Sequence, residues 1–496
     1  MFAQPRPDDD AFIGRERELL AIGKLLSRAL AGAGATVAIA GEPGIGKTHT
    51  AQVVAQWAAA RGMQVFWGRC NEEPGAPPYW PWLQIMRGWL QSHEDEAARR
   101  ILDRAASVLA EIVPEIPQRL PGCEPLPPVH DPMQARFRLF DAMSGFWRRA
   151  AADQPLLLIL DNLHWADASS LRLLEFLAPD LASSPMLVVI TYRDMELSRQ
   201  HPLSGTLGEL SRQHGFQRLR LTGFSRDETA LMMGLAGGDA VPPSLVDAIH
   251  NQTEGNPLFV GEMTRLLIQE GALGPQQRSS SAPARSAVLN RIPEGIKEVI
   301  GRRLNRLSPR TNQVLASAAM IGRAFDADLL VRLVDDLDED ACAGALEEAL
   351  RSGVIECLPG SGHYTFAHAL FRETLYEEIA APRRSRLHLK VAQAMEQAYD
   401  GDLARRLPAL AYHYWAALPG GDAARAVDYA RRAGEQAGLL FAHEEAARYY
   451  GLALQALDAG PGADASGRCE LFNALGRLGQ AADRKVNFQV AQFSLP

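Results

Sequence analysis

Between residues 41 and 48 the chain reads Gly41-Glu42-Pro43-Gly44-Ile45-Gly46-Lys47-Thr48. These residue types at this spacing do phosphate chemistry. The glycines let backbone N–H groups turn inward, and the helix that follows adds the positive end of its dipole. Lys47 is placed to reach the β- and γ-phosphates, the Thr48 hydroxyl to ligate Mg2+, and His49 follows in the first helical turn. A chance glycine turn is the bland alternative, and the flanking strand and helix patterns argue against it. Asp161 ends the apolar run Leu156-Leu157-Leu158-Ile159-Leu160, where a buried parallel strand sets a carboxylate beside the phosphate loop and its Mg2+ shell. Arg193, just past the apolar run Leu187–Thr191, suits a sensor of the γ-phosphate and a surface loop equally.

Such residues need a sheet to hold them. Strands are expected at Val37–Ala40, Gln64–Trp67, Leu156–Leu160, Leu187–Thr191 and Gln217–Leu221, alternating with helical patterns. The fold class is therefore an α/β P-loop NTPase with a mostly parallel, AAA-like sheet over residues 1–224. A Pro- and Trp-rich insertion occupies 70–135, and its rings at Tyr79, Trp80 and Trp82 read as packing core rather than as a ligand platform. Asp167 reads as the cap of a helix from Ala168 to Leu177, and His164 as structural. A helical lid follows at 225–274 and a linker at 275–293. Helices and a hairpin-like pair at 294–382 predict a winged helix. TPR-like helical repeats are expected at 383–484 and an irregular tail at 485–496.

Composition narrows the class. The net charge of −8 over 496 residues argues against a dominant nucleic-acid surface. No apolar run is long enough to span a bilayer, and the start of the chain lacks a secretory pattern. Five scattered cysteines without a C-x-x-C read as reduced thiols, so the expected setting is the cytoplasm. Basic residues at Arg302, Arg303, Arg306, Arg310, Arg383, Arg384 and Arg386 keep a DNA-reading winged helix in view, although solvated helix faces explain them as well.

A set of motifs carries a resemblance over nearly the whole chain. They are Phe12-Ile13-Gly14-Arg15-Glu16, the phosphate loop, Leu160-Asp161-Asn162-Leu163-His164-Trp165-Ala166-Asp167, Thr191-Tyr192-Arg193-Asp194, Glu254-Gly255-Asn256-Pro257-Leu258-Phe259, and Phe366-Ala367-His368-Ala369-Leu370. In this order they resemble the STAND-class P-loop ATPases of large LuxR-type transcriptional regulators and of adenylyl-cyclase-associated proteins. The resemblance implies ATP/ADP and Mg2+ as cofactors, with Ile13, Gly14 and Arg15 near adenine and ribose. It implies that Pro257 packs on the base, that His368 senses the β-phosphate of ADP, and that the winged helix clamps nucleotide instead of reading DNA.

Two residues depart from that pattern. Asn162 stands where a second carboxylate usually orients and deprotonates the attacking water, and an amide takes no proton. Glu72 or Glu73 is the candidate substitute. Ala369 stands where an aspartate commonly follows the sensing histidine, which weakens that role for His368. Neither a DNA-binding helix-turn-helix output module nor a cyclase domain is evident. The expected function is a nucleotide-dependent signalling switch with slow hydrolysis, an unidentified inducer or protein partner at the repeats, and nucleotide-dependent self-association. An active ATPase that remodels a partner and a nucleotide-stabilised scaffold are the alternatives.

Overall fold

The computed structural model describes residues 12–481 apart from 71–74, 124–125, 127–130, 199, 238–240, 270–272, 274–295, 335–337, 359–361, 419 and 461–464. The linker expected at 275–293, the tail expected at 485–496, and Glu72 and Glu73 lie outside the described residues.

Five parallel strands form the main sheet: β1 (Ala35–Ala40), β2 (Gln64–Arg69), β3 (Leu156–Asp161), β4 (Met186–Tyr192) and β5 (Phe216–Arg220). Their spatial order is β2-β3-β4-β1-β5, with every neighbour pair parallel. β1, β3 and β4 are buried at all positions, which is why they read as unbroken apolar runs rather than alternating ones. Their side chains still divide by parity. Val37, Ile39, Leu157, Ile159, Leu187 and Val189 pack on helices Glu16–Leu30 and Lys47–Ala59. Ala38, Ala40, Leu158, Leu160, Val188 and Ile190 face the other layer, built from helices Trp80–Ser92, Pro132–Asp153 and Ala168–Leu181.

The rings of the insertion serve that second layer. Tyr79, Trp82 and Trp89 are essentially fully buried, as is Trp147 beyond the insertion, while Trp80 is half-buried; the Trp82 indole N–H donates to the Ser170 carbonyl at 3.1 Å. The helix after Asp167 runs on to Leu181, four residues past the expected end, with Pro179 inside it. An interior proline costs about 3 kcal/mol. Burying Leu171, Leu173, Leu174, Leu177 and Leu181 on one face contributes about 1.5–3 kcal/mol each and outweighs it.

Beyond the sheet the chain is mostly helical. Helices Arg226–Gly237, Pro243–Thr253 and Pro257–Gln269 form a small separate core around Met233, Ile249, Val260 and Met263. Helices Ile296–Leu304, Pro309–Ile321 and Glu339–Arg351 then surround a second, antiparallel sheet of β6 (Ala324–Asp326), β7 (Ile355–Cys357) and β8 (His363–Phe366) in the order β6-β8-β7. The hairpin-like pair is present, and β6 is a third strand that three residues of sequence could not signal. Helix Ala369–Glu378 leads into a run of antiparallel helices: Ala381–Ala398, Leu407–Ala416, Ala423–Leu439, His443–Ala459 and Ala465–Ala481.

This run folds back onto the sheet domain. The Glu445 carboxyl accepts from the Ala168 backbone N–H at 2.8 Å and the Ser169 hydroxyl at 2.6 Å, at the N-terminus of helix Ala168–Leu181. Beside it Arg136 pairs with Glu444 at 3.2 Å. All five cysteines are free. Among the described residues no helix is long and apolar enough to cross a membrane.

Candidate nucleotide site

The phosphate loop joins β1 to helix Lys47–Ala59 and carries φ angles of +77° at Gly44 and +99° at Gly46, a region that glycine occupies without strain. At Gly44 there is a second constraint, because a Cβ there would lie 2.8 Å from Leu258. Within the loop the Lys47 ammonium donates to the carbonyls of Gly41 at 2.9 Å and Glu42 at 2.7 Å. Burial, helped by the nearby Arg193 cation, lowers its pKa to about 8. A phosphate oxygen arriving here would replace carbonyl acceptors with a charge and restore the ammonium's ordinary preference for the protonated form.

Strand order decides what faces Lys47. β4 lies between β1 and β3, so Asp161 reaches the loop past a β4 residue, Thr191. The Thr48 hydroxyl donates to Asp161, 3.0 Å from Oδ1, and the Thr191 hydroxyl donates to the same carboxylate. Thr191 in turn accepts the Asn162 backbone N–H at 2.9 Å. One hydroxyl and one carboxylate converge as oxygen donors, while no cluster of three His, Cys, Asp or Glu able to hold a metal occurs among the described residues. That set fits Mg2+, which keeps several waters and takes its remaining ligands from phosphates. Thr48 and Asp161 would hold it, and bound there it would neutralise charge on the phosphate oxygens.

Asn162 sits at φ +59°, where the chain turns out of β3 into a short 3-10 turn. Asparagine tolerates that left-handed conformation well, so the residue has a backbone reason to be there. His164 is buried, with its Nδ1 accepting the Arg193 backbone N–H at 3.4 Å and its Nε2 3.5 Å from Glu196. Burial, with Arg193 next, lowers its pKa to about 3, so it stays neutral. Asp167 caps its helix, accepting the Ser170 N–H at 2.8 Å.

Arg193 is not a surface residue. Its side chain is 9% exposed, with the guanidinium 4.6 Å from the centre of the Trp165 ring. It pairs with Glu196 at 2.6 Å and, across the domain boundary, with Glu373 at 3.5 Å. Glu373 belongs to helix Ala369–Glu378, whose N-terminal cap is His368. The His368 Nδ1 accepts the Leu370 backbone N–H at 3.2 Å, which leaves the ring proton on Nε2 as a donor. Burial lowers its pKa to about 3, and Arg323, Arg193 and Lys47 push in the same direction. A neutral histidine therefore stands within electrostatic range of the loop lysine and the arginine.

The other expected contacts close the site from the remaining sides. Ile13, Gly14 and Arg15 are buried. The Arg15 guanidinium donates to the carbonyls of Ile45 at 3.0 Å and Thr222 at 2.6 Å, which ties the N-terminal segment to the phosphate loop. His49 is exposed and meets Phe12 edge-on at 5.1 Å. Pro257 opens helix Pro257–Gln269, but its neighbours make the direct contacts. The Asn256 side-chain amide donates to the Pro43 carbonyl at 3.0 Å, and the Leu258 N–H donates to the Gly44 carbonyl at 3.3 Å. Sequence reasoning assigned no site role to Thr191, Trp165, Glu196, Asn256, Leu258 or Glu373. Asn256 and Leu258 carried a signal, since they flank Pro257 in the same motif. Glu373 carried none, because its role depends on how two distant segments meet.

Residues 11–190 match the AAA ATPase domain family, and residues 225–274 match a domain family of unknown function. An uncharacterized protein of Rhizobium meliloti is 26% identical over 402 residues, which is 78% of this chain. The chain spans 37% of that relative's length. Solved structures overlap it loosely. The Walker-type ATPase of Pyrococcus abyssi is 14% identical with a TM-score of 0.35, covering 73% of this chain and 96% of that one. RuvB of Thermotoga maritima is 16% identical with a TM-score of 0.32, covering 76% and 100%. The family match and the phosphate-loop geometry together make residues 11–190 an AAA-type ATPase domain, and nucleotide binding follows from that fold.

Proposed function

We propose that the chain is a nucleotide-dependent conformational switch of the STAND type, in which ATP or ADP with Mg2+ is held in a clamp shared by several domains. The phosphate loop with Lys47 and Thr48 would take the phosphates, Ile13 to Arg15 and the lid at Pro257 the adenosine end, and His368 the β-phosphate from a winged-helix domain. The observation that carries this reading is the pairing of buried Arg193 with Glu373 of the C-terminal module, within electrostatic range of Lys47. A γ-phosphate that recruited Arg193 would compete with Glu373 and so loosen the module. A helical repeat array folded back through Glu445 would then report an inducer or partner to the same site. A role in a transcription-regulator or cyclase type of signalling system belongs to this proposal, and so does nucleotide-dependent self-association in the cytoplasm.

Release of a fluorescent ADP tests the clamp. Glu373→Gln is expected to speed release about tenfold, a loss of about 1.4 kcal/mol, and Lys24→Ala, on the exposed face of helix Glu16–Leu30, to leave it unchanged. Equal release from wild type and Glu373→Gln would contradict the reading. The second reading, an ATPase with steady turnover, is opposed by Asn162, which cannot accept the proton of an attacking water.

A further inference from the structure

Helix Ala381–Ala398 carries Arg383, Arg386 and Lys390 at spacings of three and four, hence on one face. That face forms one wall of an open-sided cavity of about 260 Å³. Helix Pro309–Ile321 supplies part of the other wall through Gln313 and Ser317, and Leu333, Val334 and Leu387 make its apolar lining. The cavity thus lies where the module bearing the second sheet meets the first long helix of the C-terminal run.

Among the described residues no carboxylate pairs with the Arg383 or Arg386 side chain, and both are exposed. The first turn of their helix holds no acidic residue, and its cap, Ala380, offers no side-chain bond. Like charges gathered at the positive end of a helix dipole oppose folding unless an anion offsets them. Of the other arginines that suggested DNA, Arg302 pairs with Glu298 at 2.6 Å, Arg303 pairs with Glu262, Arg306 bonds Gln269 and Arg384 lies over the Tyr376 ring at 5.2 Å, while Arg310 is exposed. The volume lies just below the range typical of drug-sized ligand sites and suits something smaller.

We propose that this cavity binds a small organic oxyanion, a phosphate or carboxylate carrying a compact apolar group. The two guanidinium forks match the oxyanion, and Leu333, Val334 and Leu387 receive the apolar part. A ligand seated there bridges the second-sheet module and the helical run.

Titration calorimetry on the full chain tests this with phenyl phosphate, benzoate, inorganic phosphate and benzyl alcohol. One equivalent of phenyl phosphate or benzoate should bind with a Kd of about 1 mM or below, and the tighter of the two identifies the head group. Inorganic phosphate and benzyl alcohol should bind at least tenfold more weakly, since each lacks half of the recognised chemistry. Arg383→Gln combined with Arg386→Gln should weaken the anion at least tenfold, with unaltered circular dichroism as the check on folding. Lys47→Ala should leave it unchanged, which separates this cavity from the phosphate loop. The proposal is overturned if neither anion binds, or if binding survives the double arginine change and is lost with Lys47→Ala. It is equally overturned if a short DNA duplex at low salt uses these arginines while neither small anion does.

Discussion

At the scale of single residues, two side chains carry opposite predictions. Lys47→Ala removes the ammonium from the phosphate loop, so nucleotide should no longer stabilise the protein. At a concentration one hundred times the Kd, that stabilisation is about 2.7 kcal/mol in the wild type. A melting temperature that still rises with ADP in the variant would contradict the assignment. Asn162→Asp restores a carboxylate at φ +59°, a conformation that aspartate also tolerates. Phosphate release should rise at least tenfold, and release unchanged from wild type would mean that the water is activated elsewhere. The phosphate loop and Asp161 were legible because each rests on residue type at fixed spacing, whereas the departure at Asn162 showed only against the pattern the motifs resemble. Thr191 was not, although it donates to Asp161 and accepts from the Asn162 N–H, because its role is set by β4 lying between β1 and β3.

At the scale of elements, the contact between helices His443–Ala459 and Ala168–Leu181 rests on two buried acids. Burial pushes the Glu445 carboxyl up to about 8, and the nearby Asp167 and Glu444 add to it. Burial also raises Asp167, against the hydrogen bonds from Ser170. Among the described residues, Cys70, Tyr79, Tyr449, Arg448, Arg136 and His443 are titratable or charged groups around the pair. A carboxyl raised in the folded state favours folding when it is protonated. The docking is therefore strongest below the ordinary carboxylate value of 4.5 and weakens as pH rises towards about 8. The change is about 1.4 kcal/mol per pH unit for one proton. Hydrogen exchange at the Ala168 and Ser169 amides, corrected for intrinsic base catalysis, should show protection falling across that window. Glu445→Gln should flatten the profile, and parallel profiles in the two proteins would refute the role of this carboxyl. The helices themselves were readable from apolar spacing. Their docking was not, since the N-terminus of one element is satisfied by a residue nearly three hundred positions away.

At the scale of the whole molecule, the parallel sheet and the mostly helical region after it were legible, because each has its own period and punctuation. What ties them together was not. The buried pair Arg303–Glu262 joins helix Ile296–Leu304 to helix Pro257–Gln269, and such a pair costs about 3–5 kcal/mol to break by removing one partner. Arg193–Glu373 does the same between the ATPase domain and helix Ala369–Glu378. Under the proposed function, Arg193 is the link that a γ-phosphate would compete for, and it is there that nucleotide identity would become shape. Small-angle scattering of the full chain, with ADP and then with a non-hydrolysable ATP analogue, tests that claim most directly. The account predicts a larger radius of gyration with the analogue, and a comparable expansion for Glu373→Gln already with ADP. Superimposable scattering curves for the wild type in the two nucleotides would contradict it.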